Sequence, residues 1–236
     1  MGFVPHPFYL ATIKKMVRIN LDTGVTATDL ISTATAKEFL RVTHSNDDTL
    51  ISSMIAGAME VAQNFANRKF LDHIYTLTME TWDDVYVSNS YGGYLYRDVA
   101  TNLSSYGGYY SKWTGLQQIV LPFPPLRTIE YIKYYDTDNA QQTWADSNYS
   151  VMTFENQKGF VEIKKGVDTP SVYSRANAIE IKFKCGYGSS SSDVPDAIKQ
   201  AILLIVGKMY ELREDSVSRL PKASEYILEP YRIKTY

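Results

Sequence analysis

The residue types that carry most protein chemistry are thinly spread in this chain. It has three histidines, His6, His44 and His73. None stands in a metal spacing such as H-x-x-x-H or H-E-x-x-H, which would put two imidazoles on one helix face. The single cysteine, Cys185, has no nearby histidine or helix start to lower its pKa, so it reads as a small buried hydrophobe. One cysteine also excludes an internal disulfide framework and a cysteine-rich zinc site. There is no G-x-S-x-G elbow, Walker lysine loop or H-x-E with C-x-x-C. Gly186-Tyr187-Gly188 follows a predicted strand and precedes a predicted helix, where a phosphate cradle belongs. A run from Ser189 to Ser192 replaces the third glycine, so nucleotide binding is not expected. Asp83-Asp84 and Asp136-Thr137-Asp138-Asn139 offer oxygen ligands. The second lacks the glycine and closing glutamate of a calcium loop and reads as a solvated turn. These residues point to no catalytic, metal or cofactor site, and to no enzyme.

Binding chemistry is better represented. The 236 residues include 19 tyrosines, and aromatics reach 13%, a composition suited to interfaces. Tyr91 and Tyr94 flank one Gly-Gly pair, Tyr106 and Tyr109 another. The stretch 86–112 reads either as one or two aromatic ribbons with tight hairpin turns, or as a Gly/Ser/Tyr loop. Only Arg97 and Lys112 lie in it, too few for an electrostatic groove along single-stranded nucleic acid. With Trp113, the same tyrosines could instead form a carbohydrate-stacking platform, which needs no charge. That gives an alternative function, a carbohydrate-binding or other aromatic-rich binding module.

The elements that must position these residues follow from periodicity. Hydrophobic residues make up 44% and charged residues 21%, with a formal net charge of -2. That is a globular profile with no basic excess for phosphate backbones or anionic lipids. No apolar run reaches the roughly 20 residues of a membrane span. The expectation is a soluble protein kept in a reducing compartment. Residues 1–28 read as an N-terminal arm. A helix begins near Ser32 or Thr33 and runs to about Val42. Asn46 can cap the next one. Leu50, Ile51, Met54, Ile55, Ala58, Val61, Ala62 and Phe65 mark its buried stripe, and it ends near Asn67-Arg68. Short strands follow around Ile74 to Trp82, Ile119 to Leu121, Ile129 to Tyr135, Tyr149 to Met152, Phe160 to Ile163 and Ile179 to Phe183. They predict an antiparallel β module. Pro195 suits a first helical position. The helix from there carries Ile198, Ala201, Ile202, Ile205, Met209 and Leu212 as a stripe, widened by Leu203, Leu204, Val206 and Tyr210.

The expected fold class is α+β. Two N-terminal helices and a long C-terminal helix form a helical core (29–70 and 194–213). It carries an antiparallel β-rich insertion (71–185) and an extended C-terminal tail (214–236).

Several stretches, taken in order, resemble the head–tail connector (adaptor) proteins of long-tailed bacteriophages and related phage-like particles. They are Asp29-Leu30-Ile31-Ser32, Ala36 to Val42, Asn46 to Ile51, Leu121-Pro122-Phe123-Pro124-Pro125-Leu126, Cys185-Gly186-Tyr187-Gly188, Val194 to Leu204, and Leu228-Glu229-Pro230-Tyr231-Arg232. The resemblance spans roughly residues 29 to 232. The N-terminal arm, the Tyr/Gly stretch and the serine run before Pro195 depart from it. It implies a structural virion protein of the neck, assembled in the host cytoplasm. It implies a ring, usually of twelve copies, beneath the portal protein. That ring extends the channel for double-stranded DNA and offers a surface to the next neck or tail component. No cofactor and no membrane are involved. The C-terminal segment would reach into the portal, with Tyr226, Leu228, Tyr231 and Arg232 as anchors. The other possibility is a tail folded back onto its own core. Tyr91, Tyr94, Tyr106, Tyr109, Leu204 and Tyr210 are expected at contacts with neighbouring copies or partners.

Overall fold

The computed structural model of the protein describes residues 18–24, 26–82, 87–88, 95–96, 118–154, 158–212 and 220–233. Strand β1 (Arg18–Thr23) leads into a single helical turn, α1 (Ala27–Leu30), and then helices α2 (Thr33–Leu40) and α3 (Asp48–Ala66). The β region follows with β2 (His73–Met79), β3 (Val87–Ser88), β4 (Leu95–Tyr96), β5 (Gln118–Val120), β6 (Leu126–Tyr135), β7 (Gln141–Thr143), β8 (Tyr149–Met152), β9 (Phe160–Ile163) and β10 (Ile179–Cys185). Helices α4 (Asp196–Glu211) and α5 (Lys222–Leu228) close the chain, with a 3₁₀ turn at Glu229–Tyr231. The fold is α+β with antiparallel sheets.

Local chemistry explains the helix ends. Ser32 caps α2, its Oγ accepting the Thr35 amide at 3.1 Å. Arg41 ends the helix in the left-handed region, φ 58°. Helix α3 starts later than Asn46 would place it, with Asp47 at the cap position. The Asp47 carboxylate accepts a hydrogen bond from the Tyr210 hydroxyl of α4 at 2.6 Å. Pro195 stands at the cap of α4 rather than inside its first turn. Of the stripe expected on α3, Ile51, Ile55, Ala58 and Ala62 are fully buried. Leu50 and Val61 are not: they are 38% and 37% exposed, because the buried arc of the helix is narrower than its apolar one.

Two expectations about the ends of the chain are corrected. Residues 18–28 are not an arm. Strand β1 pairs antiparallel with β2, Arg18 opposite Thr78 and Leu21 opposite Tyr75, and a bulge lies between Leu21 and Thr23. The hydrogen-bonding edge of β2 draws this segment in, and Ile19 and Leu21 alternate with Arg18, Asn20 and Asp22 along it. Nor is the described part of the C-terminal segment extended. Residues 222–231 are helical and folded back on α3 and α4, because Leu228 and Ser224 find buried places there.

Five strands form one sheet in the order β1-β2-β10-β6-β7, and β5-β9-β8 form a second. Strand β10 alternates cleanly, with Ile179, Ile181, Phe183 and Cys185 inward and Glu180, Lys182 and Lys184 on the other face. The inward residues meet Ile119, Leu121, Val161, Trp82 and Trp144 in one β core. The tryptophan rings lie 4.6 Å apart. A separate helical core gathers α1 to α5 around Ile51, Ile55, Ile198, Ile202, Ile205 and Leu228.

The two cores join where the chain leaves α3 and where it enters α4. The Tyr187 amide donates to the Phe70 carbonyl at 3.0 Å, and the Asp72 amide to the Gly188 carbonyl at 2.9 Å. Gly186 sits at φ +124°, and a Cβ there would lie 2.2 Å from the Leu71 carbonyl oxygen. Gly186 lets two backbones touch and Gly188 leaves room for the Asp193 side chain, whose carboxylate oxygen would lie 2.1 Å from a Cβ there, which accounts for the Gly186-Tyr187-Gly188 loop without a phosphate. Gly186→Ala should therefore cost about 2–5 kcal/mol, from backbone strain plus the steric overlap. Gly166, at φ +83° with nothing within 4 Å of its would-be Cβ, should lose only about 1 kcal/mol on the same change. Urea unfolding of the two variants measures the difference. Equal losses would contradict the close approach.

Candidate docking surface

The described residues offer little to reaction chemistry. Ring Nδ1 of His73 is 2.8 Å from the Leu71 carbonyl oxygen, which only accepts, so that nitrogen holds its proton. Burial pushes the His73 pKa below its ordinary value. His44 lies exposed in the loop before α3, and His6 lies outside the described residues. Cys185 is fully buried in the β core, and burial pushes its thiol up to about 12. Among the described residues, no group of three or more His, Cys, Asp or Glu could hold a metal ion. Asp136 makes a turn: its Oδ1 accepts the amides of Asp138 and Ala140 at 3.1 and 3.0 Å. Its Oδ2 accepts from the Gln142 side chain at 2.7 Å, and these bonds hold the carboxyl below its usual range.

The expected contact residues separate into three places. Tyr226 is 80% exposed on α5, and Arg232 is exposed just beyond it. They line a cleft of about 320 Å³ with Phe65, Lys222, Glu225 and Glu229. The Arg232 guanidinium lies 4.9 Å over the Phe65 ring and 3.6 Å from the Glu229 carboxylate. Tyr231 is half-buried against the helical core. Leu228 is fully buried. It is no surface anchor while α5 is docked; it is what holds α5 down. The Ser224 hydroxyl donates to the Ala201 carbonyl at 3.2 Å, and the Ile233 amide to the Ala66 carbonyl at 2.9 Å. Leu204 and Tyr210 are half-buried on α4. Tyr91, Tyr94, Tyr106 and Tyr109, with Trp113, lie outside the described residues. Ser88 and Leu95 pair as β3 and β4 on either side of the first Gly-Gly.

Two features escaped sequence reasoning. Arg68 is almost fully buried at the end of α3, donates to the Tyr187 hydroxyl and lies 5.5 Å from that ring. The outer face of the five-stranded sheet carries a charge network. Lys182 lies 3.7 Å from Asp22 and 3.6 Å from Glu130, and the Tyr131 hydroxyl donates to Glu180. Burial and that bond push Tyr131 up to about 12. The alternating charges of β10 were the available signal.

No protein-family model matches the chain, and no curated protein matches it. Solved structures do. The fold resembles that of chains in gene transfer agent (GTA) particles. One, from the neck of an empty GTA particle computed with C6 symmetry, superposes with a TM-score of 0.65 at 17% identity. The match covers 91% of this chain and 95% of that one. A second, from the neck of a native GTA particle computed with C12 symmetry, gives 0.64 at 19% identity over 91% and 94%. A third, from the virion of a native GTA particle, gives 0.64 at 18% over the same shares. The likeness agrees with the resemblance to head–tail connectors.

Titration of the buried groups gives a testable pH profile. In the unfolded chain a thiol ionises near about 8.5. Cys185 keeps its proton in the fold to about 12. Between those values the folded state binds the extra proton, so stability falls as pH rises. Tyr131 acts in the same direction at higher pH. His73 acts at the other end: the unfolded chain takes up a proton near about 6.5 and the fold does not, so stability falls below that pH. Urea midpoints should form a plateau from about pH 6.5 to 8.5 with losses on both sides. A thiol reagent at pH 8 should leave the native protein unlabelled; rapid native labelling would contradict the burial of Cys185.

Proposed function

We propose that this chain is a structural, non-enzymatic component of the neck of a tailed, phage-like particle, acting as a head–tail connector. The observation that carries this is the fold match over nine-tenths of both chains to proteins of GTA necks. In this reading the copies form a ring, as the symmetric necks of those particles suggest. The ring seats on the portal protein, continues the DNA channel and presents a surface to the next neck component. The protein would be found in the virion neck after assembly in the host cytoplasm. A formal net charge of -2 suits the lining of a channel, because a strong positive excess would bind passing phosphates.

We assign portal docking to the cleft beside α5. Tyr226 and Arg232 are the residue types that dominate interface energetics when they become desolvated. Tyr231 supports them from the half-buried side, and Leu228 keeps α5 in register with α4. The combined change Tyr226→Ala and Arg232→Ala should weaken binding to the portal at least about tenfold with little change in unfolding temperature. Leu228→Ala should lower stability by about 2–4 kcal/mol. Electron microscopy of purified particles tests the whole reading: antibody against the chain should label the neck. Label confined to the capsid shell or tail tip would end it.

A further inference from the structure

We propose that the outer face of α3 around Gly57 receives the Phe39 ridge of a neighbouring copy, head to tail. The inference rests on the ring reading above. Two glycines sit inside helices, where glycine is less favourable than alanine. Gly207 of α4 is explained within the chain: a Cβ there would lie 3.1 Å from the Phe39 ring. Gly57 has no such reason. A Cβ built on it would meet nothing within 4 Å. Glycine there disfavours α3 without serving any contact inside the fold, and a close approach from outside accounts for it. On the same face Leu50 and Val61 are 38% and 37% exposed, one on each side of the notch.

The matching projection belongs to the same helical layer. Phe39 is 39% exposed while resting over Gly207, and Leu204 is one turn away on α4. Charge agrees with shape. Arg41 is exposed at the end of α2, two residues beyond Phe39. Glu60 is exposed on α3, three residues beyond Gly57. A ridge on one part of the surface and a notch on another make a heterologous contact, which closes into a ring when the rotation per copy permits. In a twelvefold ring that rotation is about 30° per copy.

Arg41→Cys and Glu60→Cys, made as separate single variants of the full chain, test the geometry. Mixed, assembled and oxidised, they should give a disulfide-linked heterodimer, while neither alone gives a dimer. Cys185 is buried and stays out of the reaction. A second variant, Gly57→Leu, should unfold as a monomer at the same or a higher temperature, yet assemble about tenfold less readily by sedimentation. Rings that form without the cross-link, an Arg41→Cys homodimer, or unimpaired assembly of Gly57→Leu would each overturn this interface while leaving the neck reading intact. Unsubstituted chains that form no ring, alone or on the portal, would overturn both.

Discussion

The arrangement depends on two backbones touching. The helical core and the β core are built from different residues and share little side-chain packing. What fixes one against the other is the crossing of Phe70–Asp72 with Gly186–Gly188, where amides and carbonyls pair directly. Side chains would hold these strands apart, so Gly186 is bare and in a conformation other residues avoid. The end of α3, the start of β2, the end of β10 and the approach to α4 all pass through this point. Its geometry sets the angle between the helical layer and the sheets, and hence where each outer surface faces.

The same point carries a buried guanidinium. Arg68 is 2% exposed, and a guanidinium in such a place needs partners for its polar groups. Tyr187 serves in two ways, by its hydroxyl and by its ring. Tyr187 is also the residue between the two glycines. One three-residue segment thus admits the close approach and gives the guanidinium beside it a hydroxyl and a ring as partners. A loop that looks like a nucleotide cradle from its spacing is a structural rivet once its partners are visible.

Legibility of the sequence tracks the range of the interactions. The caps and strands that local chemistry decides were readable: Ser32 at α2, the spans of β8 and β9, and the alternation along β10. Features decided by distant partners were not. In Arg18 to Thr23 only Ile19 and Leu21 alternate with polar neighbours, a signal too short to name a strand without the edge of β2 beside it. The stretch from Lys222 to Tyr231 reads as a free tail, because its buried contacts belong to residues more than twenty positions away. Leu50 and Val61 belong to the apolar period of α3 yet lie outside its buried arc, since periodicity counts apolar residues without knowing how many the neighbours can cover. The cleft beside α5 was half visible, through Tyr226 and Arg232. Its floor at Phe65 comes from another helix and could not be.

Charge balance bears on how such a surface recognises anything. The network on the outer sheet places Lys182 between Asp22 and Glu130, and the whole chain is nearly neutral. One cation between two carboxylates leaves a residual charge, and salt screens it beyond a Debye length, about 8 Å at physiological ionic strength. Little long-range field remains to steer a partner, so association is governed by contact shape and by the few groups that become desolvated. The chemistry agrees: the thiol is buried and protonated, and the buried imidazole is committed to a backbone carbonyl. Both of these buried groups serve the interior.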